Sequence, residues 1–253
     1  MVNVAVVTGA SKGLGFETAN LFCSHGLDVI GLSRSRNEAM RKLNAKYGRS
    51  FHYLSLDLTH ESAVERAMID VCTEIIGRVP GKVYVVNNAG TVEPIERLGH
   101  LDNQAIRKSV HLNVLAPLLI NNMLLKQLAH RAMDVSIMNV TSGAAERPIY
   151  GWSIYGATKA AINLHTKAAG LEQNQINSRH CMAAFSLGIM NTDMQGTIRQ
   201  SSPDAFAEIE TFKSFKSEDK LRQPGEVAHA LVNLMLNGQV ENGCIYDVDD
   251  LIP

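Results

Sequence analysis

The stretch VAVVTGASKGLG, residues 4–15, decides the fold. An apolar run of strand length ends at Thr8, passes through a turn carrying Gly9, Gly13 and Gly15, and enters a segment of helical period that runs from Leu14 to Ser24. A strand turning tightly on glycines into a helix is the first half of a βαβ unit. Such a turn lets backbone approach a pyrophosphate closely, while the helix start offers unpaired N–H groups and a partial positive charge. The spacing is GxxxGxG, not GxGxxG, so on its own the turn is equally compatible with a structural role.

The same alternation continues outward. Further strands are expected at 29–32, 53–56, 83–86, 135–140, 182–187 and 244–248, and helices at 14–24, 37–47, 62–75, 103–131, 152–173 and 225–236. The strands are unbroken Val/Ile/Leu runs, as expected where helices cover both faces. The fold class is therefore α/β, a single domain over 1–253 built on a doubly wound parallel sheet with helices on both faces. Residues 191–223 depart from this pattern: they are polar, with Phe206, Ile209, Phe212 and Phe215 at helical spacing. That excursion reads as a substrate-binding loop or lid, or equally as a surface helix.

With 45% hydrophobic and 19% charged residues, the 253-residue chain excludes a disordered or collagen-like protein. A net charge of -1 leaves nothing global to attract nucleic acid or an acidic membrane, so any anionic ligand must be held locally. The four cysteines, Cys23, Cys72, Cys181 and Cys244, form no CxxC pair, which argues against a zinc ribbon or a redox pair and makes a reducing cytoplasm the simplest setting. The nine histidines show neither HxxxH nor HExxH, so no metal is expected. No leader or membrane-spanning run is apparent.

After the second strand stands Ser33-Arg34, where an acidic residue would receive the ribose 2′-OH of NAD. Arg34 can instead fork onto a 2′-phosphate, with Lys12 as a second cation, so the expected cofactor is NADP(H); the bland alternative is two solvated surface cations. Asp57-Leu58 follows the third strand, where the carboxylate can accept from an adenine amino group or cap a helix. Asn87-Asn88-Ala89-Gly90 follows the fourth, as a cofactor contact or a tight turn.

Ser142 ends the fifth strand, and Tyr155 and Lys159 come thirteen residues later on one face of a helix. Lys159 would favour the phenolate of Tyr155, and Ser142 with Tyr155 would grip a carbonyl oxygen. A nucleophilic role for Ser142 is not supported, since no GxSxG elbow accompanies it. Pro117, inside a helical stretch, has no N–H for the carbonyl of Asn113, which can hold a water, mark a simple kink, or both.

These segments, TGASKGLG (8–15), NNAG (87–90), Asn113, Ser142 and YGATK (155–159), in this order and spacing, resemble the short-chain dehydrogenase/reductase family over essentially the whole chain. NNAGTVEPI (87–95), HLNVLAP (111–117), TSGAAERPIYGWSIY (141–155) and NTDMQ (191–195) look like its sepiapterin reductase and benzil reductase branch. The resemblance implies a Rossmann fold with strand order 3-2-1-4-5-6-7 and a catalytic set of Asn113, Ser142, Tyr155 and Lys159. It implies cofactor contacts from Gly9, Ser11, Lys12, Gly13, Leu14, Gly15, Arg34, Asp57, Leu58, Asn88, Ala89, Gly90, Tyr155, Lys159, Gly188, Met190 and Thr192. It also implies NADPH-dependent reduction of a ketone or vicinal diketone, and a homodimer or homotetramer. Trp152, three residues before Tyr155, and Met194 would border a substrate pocket, although a buried core tryptophan is an equal reading.

One departure concerns the loop after the sixth strand. The family pattern Pro-Gly-x-x-x-Thr is here Leu187-Gly188-Ile189-Met190-Asn191-Thr192, so a less rigid loop is expected. The expected activity is a carbonyl reductase acting on a small molecule. The alternatives are an NADP-dependent alcohol dehydrogenase, a 3-oxoacyl reductase, or a non-catalytic NADP(H)-binding sensor.

Overall fold

In the computed structural model, which describes residues 2–252, seven strands form one parallel sheet. They are β1 (Val4–Thr8), β2 (Asp28–Ser33), β3 (Phe51–Ser55), β4 (Lys82–Asn87), β5 (Asp134–Thr141), β6 (Cys181–Ser186) and β7 (Ile245–Asp247). Their order is β3-β2-β1-β4-β5-β6-β7, as the resemblance implied. Alternate strand residues face opposite ways, so β1 sends Ala5 and Val7 to one core and Val4 and Val6 to the other. The first core lies under α1 (Gly13–Ser24), α2 (Glu38–Tyr47) and α9 (Pro224–Leu236), and the second under α3 (Glu61–Arg78), α5 (Ala116–Leu128) and α6 (Ser153–Gln175). Burial on both faces explains why these strands lack a polar alternation.

The expected helix over 103–131 is instead three pieces. α4 (Asn103–Val110) leads into a π turn, His111–Leu115, and then into α5, which ends at Leu128. In the π turn the Ala116 N–H donates to the His111 carbonyl five residues back, and Pro117, which has no N–H to give, falls in the first turn of α5 directly after it. The extra residue thus absorbs the proline without a break.

Two strand boundaries also differ from expectation. β3 begins at Phe51, because it is an edge strand whose exposed His52 and Ser55 dilute the apolar pattern. β7 stops at Asp247, whose side chain accepts from the Asp249 N–H at 2.9 Å and turns the chain into a short 3₁₀ segment. The 191–223 excursion contains two helices, α7 (Asp193–Arg199) and α8 (Ile209–Ser217), with Phe206 in the turn before α8. Among the described residues no helix is long and apolar enough to cross a membrane.

Candidate active site

The strand order reverses between β1 and β4, which opens a crevice at their carboxyl ends. Thr8, the last residue of β1, draws the two loops there together. Its hydroxyl accepts from the N–H groups of Asn88 and Ala89, each at 3.0 Å, and its carbonyl accepts from Asn88 Nδ2 at 2.9 Å. This approach requires glycine: a Cβ on Gly9, at φ 68°, would lie 2.7 Å from Asn88 Nδ2, and one on Gly15 would lie 2.3 Å from the Gly9 carbonyl. Asn88 therefore holds the glycine turn itself, a part that Thr8 shares and that the motif reading did not assign to Thr8.

α1 starts at this turn with no side-chain cap and no acidic residue in its first turn, leaving its N–H groups and dipole directed at the crevice. The arrangement fits a pyrophosphate. Ser11 lends its carbonyl to the Asn37 amide, which also caps α2 by accepting from Met40 N at 2.8 Å. Leu14 and Leu58 are buried in the two cores, so any part they take in binding is through backbone.

At the far end of β2, Arg34 is exposed and close enough to Asp57 to act on its charge. Burial pushes the Asp57 carboxyl up, but hydrogen bonds from the Thr59 N–H and hydroxyl, with Arg34 and His60 nearby, outweigh it and hold the group below its ordinary value. Lys12 lies apart from Arg34's partners: its Nζ pairs with Asp193 Oδ2 at 2.6 Å, both side chains being exposed.

Ser142, Tyr155, Lys159 and Asn113 come together beyond β5. Tyr155, Lys159 and Asn113 are buried and Ser142 is half-buried. Lys159 Nζ donates to the Val140 carbonyl at 2.9 Å and stands 5.7 Å from the centre of the Tyr155 ring. The π turn presents Asn113, whose amide exchanges two hydrogen bonds with the Thr91 backbone and donates to Thr158 Oγ1 at 3.1 Å. A Cβ on Gly90 would lie 3.3 Å from Asn113 Oδ1 and 3.7 Å from Lys159 Nζ, so Gly90 closes this corner.

The electrostatics differ from the expectation that Lys159 sets the phenol. Burial is the largest effect on Tyr155 and pushes it up, opposed by a hydrogen bond with Ser142, while burial draws Lys159 down to about 8. Each group is desolvated, which disfavours the charged form of both side chains.

Behind the site runs a buried amide network that sequence spacing does not disclose. Asn87 Nδ2 donates to Asn121 Oδ1 at 2.7 Å and to Asn139 Oδ1 at 2.9 Å, and Asn139 Nδ2 donates to Thr166 Oγ1 at 3.0 Å. It locks the ends of β4 and β5 to α5 and α6.

Trp152 stands at the N-terminus of α6 in edge contact with Tyr155, ring centres 5.1 Å apart, and stacks on Phe206 at 5.0 Å. Val92, Ile149, Ile198 and Phe212 complete this apolar cluster, with Met194 and Phe215 packed at its margin. The loop after β6 is firmer than the missing proline suggests. Ile189 and Asn191 share two backbone hydrogen bonds with Arg222, at 3.0 and 2.9 Å, and Arg222 pairs with Asp249 at 2.6 Å beside Gly188. Met190 bridges to Arg222 in parallel register, and Thr192 caps α7 by accepting from Gln195 N at 3.4 Å.

The family model for short chain dehydrogenases matches residues 3–203. The chain is 33% identical over 247 residues to the benzil reductase ((S)-benzoin forming) of Bacillus subtilis (strain 168), covering 98% of each. It is 29% identical over 245 residues to the Bacillus cereus protein of the same description, covering 97% of this chain and 98% of that one. A short chain dehydrogenase/reductase structure from Saccharomyces cerevisiae superposes with a TM-score of 0.82 at 25% identity, covering 100% of both chains. With the sheet order, the glycine turn and the Ser142–Tyr155–Lys159 grouping already in place, these matches make the chain an oxidoreductase of the short-chain dehydrogenase/reductase family.

Proposed function

We infer that the protein is an NADPH-dependent carbonyl reductase that acts on a ketone or vicinal diketone, with Tyr155 as proton donor. The observation that carries this is the meeting of Ser142, Tyr155 and Lys159 beside the β1/β4 crevice, under an apolar, aromatic wall. The benzil reductase descriptions of two relatives support the substrate class.

The crevice fits a nicotinamide dinucleotide. The uncapped start of α1 and the turn from Gly9 through Gly15 would hold the pyrophosphate, Arg34 the 2′-phosphate, and Asp57 the adenine amino group. Lys12 would exchange Asp193 for a phosphate oxygen. Asn88, Ala89, Gly90, Gly188, Met190 and Thr192 would line the nicotinamide end; Thr192 accepts in its cap, which keeps its hydroxyl hydrogen as a donor to a carboxamide. When bound and reduced, the nicotinamide supplies the hydride.

The chain's own residues handle the oxygen. Ser142 donates to the carbonyl oxygen and keeps it against Tyr155, which delivers the proton as negative charge develops there. Lys159, anchored on the Val140 carbonyl, would hold the ribose hydroxyls and return a proton to the phenol. The 191–223 excursion, pinned at its neck, would form the substrate wall through Met194 and Phe206, together with Trp152 at the start of α6. The exposed Leu164 and Leu171 of α6 support self-association as a homodimer or homotetramer. Free Cys23, Cys72, Cys181 and Cys244 suit a cytoplasmic setting.

The test follows absorbance of NADPH, beside NADH, with benzil, a phenyl-substituted dione and sepiapterin. Wild type should turn over with NADPH, and Tyr155→Phe should lose at least about 10²-fold in kcat while still binding NADPH. NADPH binding without turnover of any carbonyl would refute the reductase reading.

A further inference from the structure

Trp152 is the chain's sole tryptophan, and its position is set by three segments at once. The Trp152 N–H of the backbone donates to the Ile149 carbonyl at 3.1 Å, the neighbouring Gly151 carbonyl accepts from Glu96 N at 3.1 Å, and Gly151, at φ 85°, lies so close to Ala205 that a Cβ would come 2.1 Å from its carbonyl oxygen. The indole is 6% exposed, between the Phe206 ring on its face and Tyr155 and Phe212 at its edges. Yet its Nε1 hydrogen has no acceptor among the described residues. A buried donor without a partner is costly and is seldom retained unless something satisfies it. The rings around it offer no strong acceptor, whereas an Asn, Ser or backbone carbonyl would have been an easy solution elsewhere in this protein, as the Asn87–Asn121–Asn139 network shows.

Tyr155 follows Trp152 by three residues, so the two side chains lie on one face of the helix start, with their rings in contact. A carbonyl oxygen held by Tyr155 therefore places the adjoining carbon of a vicinal dicarbonyl next to the indole. The outer wall at this point is α8, whose Phe215 is only partly buried and whose Phe212 touches the indole edge, so a ligand reaches the indole N–H by displacing this wall. We propose that Trp152 is a specificity-determining residue: its indole N–H donates to the second oxygen of a vicinal dicarbonyl whose first oxygen is held by Tyr155 and Ser142. A monoketone in the same place leaves the donor unpaired, which is the condition under which a polar site discriminates most strongly. This rests on the carbonyl reductase reading and adds to it the reason for choosing a dicarbonyl.

The experiment compares kcat/KM for benzil and for deoxybenzoin, which keeps the skeleton but replaces one carbonyl with CH₂, in wild type and Trp152→Phe. Intrinsic reactivity cancels when the two ratios are divided. The benzil preference over deoxybenzoin should fall about tenfold in Trp152→Phe, the worth of one hydrogen bond in an enclosed site, over and above any loss that both ketones share through packing. An unchanged preference, or an equal loss on both ketones, assigns Trp152 to packing alone and overturns the proposal; persistence of turnover in that case, abolished by Tyr155→Phe, leaves the reductase reading intact. A second measurement needs neither a variant nor turnover. With NADP⁺ present, biacetyl should shift the emission maximum of this sole tryptophan and butanone should not, and the same response to both ligands overturns the proposal.

Discussion

Asn113 and Thr91 hold each other by a reciprocal pair of hydrogen bonds, the Thr91 N–H donating to Asn113 Oδ1 and Asn113 Nδ2 to the Thr91 carbonyl, both at 2.8 Å. The same amide reaches Thr158 on α6, so one side chain ties the loop after β4, the π turn and the helix of Tyr155. Truncation would leave the half-buried Thr91 N–H and carbonyl without these partners. Asn113→Ala should therefore cost about 3 kcal/mol of stability, read from urea unfolding midpoints, besides its effect on rate. A variant as stable as wild type would show that the clasp is incidental.

Burial draws Lys159 down from an ordinary 10.5 to about 8. Between those values the unfolded chain retains a proton that the folded chain has released, so stability from this group rises with pH there and its penalty is complete below about 8. Tyr155, raised above 10.0 by burial, works the other way only above that value. Wild type should accordingly gain stability relative to Lys159→Met as pH climbs from 8 to 10, measured by denaturant unfolding at each pH. A constant difference between the two proteins would contradict this account.

Arg34 is the exposed cation beside Asp57 that would choose the dinucleotide. Replacing it with serine should lower the ratio of kcat/KM for NADPH over NADH at least about tenfold, chiefly through KM for NADPH, because a charge-assisted fork to a phosphate is lost while the pyrophosphate site is untouched. Equal loss with both cofactors would place Arg34 in folding, not selection.

Gly151→Ala tests the seam between the catalytic helix and the excursion. The new Cβ would meet the Ala205 carbonyl at 2.1 Å from a residue already at φ 85°. About 2 kcal/mol of strain is expected, relieved by displacement of the excursion. Limited proteolysis within 193–217 should quicken and substrate KM rise, with NADPH affinity nearly unchanged; a fall in NADPH affinity of the same size would disprove the separation.

The sheet was legible because its inner strands are buried on both faces and so are written as uninterrupted apolar runs, as in VAVVT of β1, while the strand order followed from the family resemblance. The edge strand β3 was misplaced by two residues for the opposite reason, since His52 faces solvent. The π turn left only Pro117 as a trace, and a proline signals a disturbance without saying that an added residue resolves it. Ser142, Tyr155 and Lys159 were readable from spacing on one strand and one helix. What braces their surroundings was not: Thr91 with Asn113, the Asn87–Asn121–Asn139 amides, and, at the loop after β6, the Arg222–Asp249 pair join residues distant in the chain, and such partners follow from packing alone. For the same reason the phenol's desolvation was not legible, because burial is a tertiary property.

Where the excursion leaves and rejoins the body, Met190 and Arg222 run side by side as a single rung of parallel sheet. Two chain ends already in contact make the connecting segment's length nearly free to vary, since loop closure grows only slowly with the number of residues. The 191–223 segment is in that sense a cassette: its length can change while the rung and the sheet stay as they are, and what any replacement must keep is the Phe206 and Phe212 side that packs on Trp152.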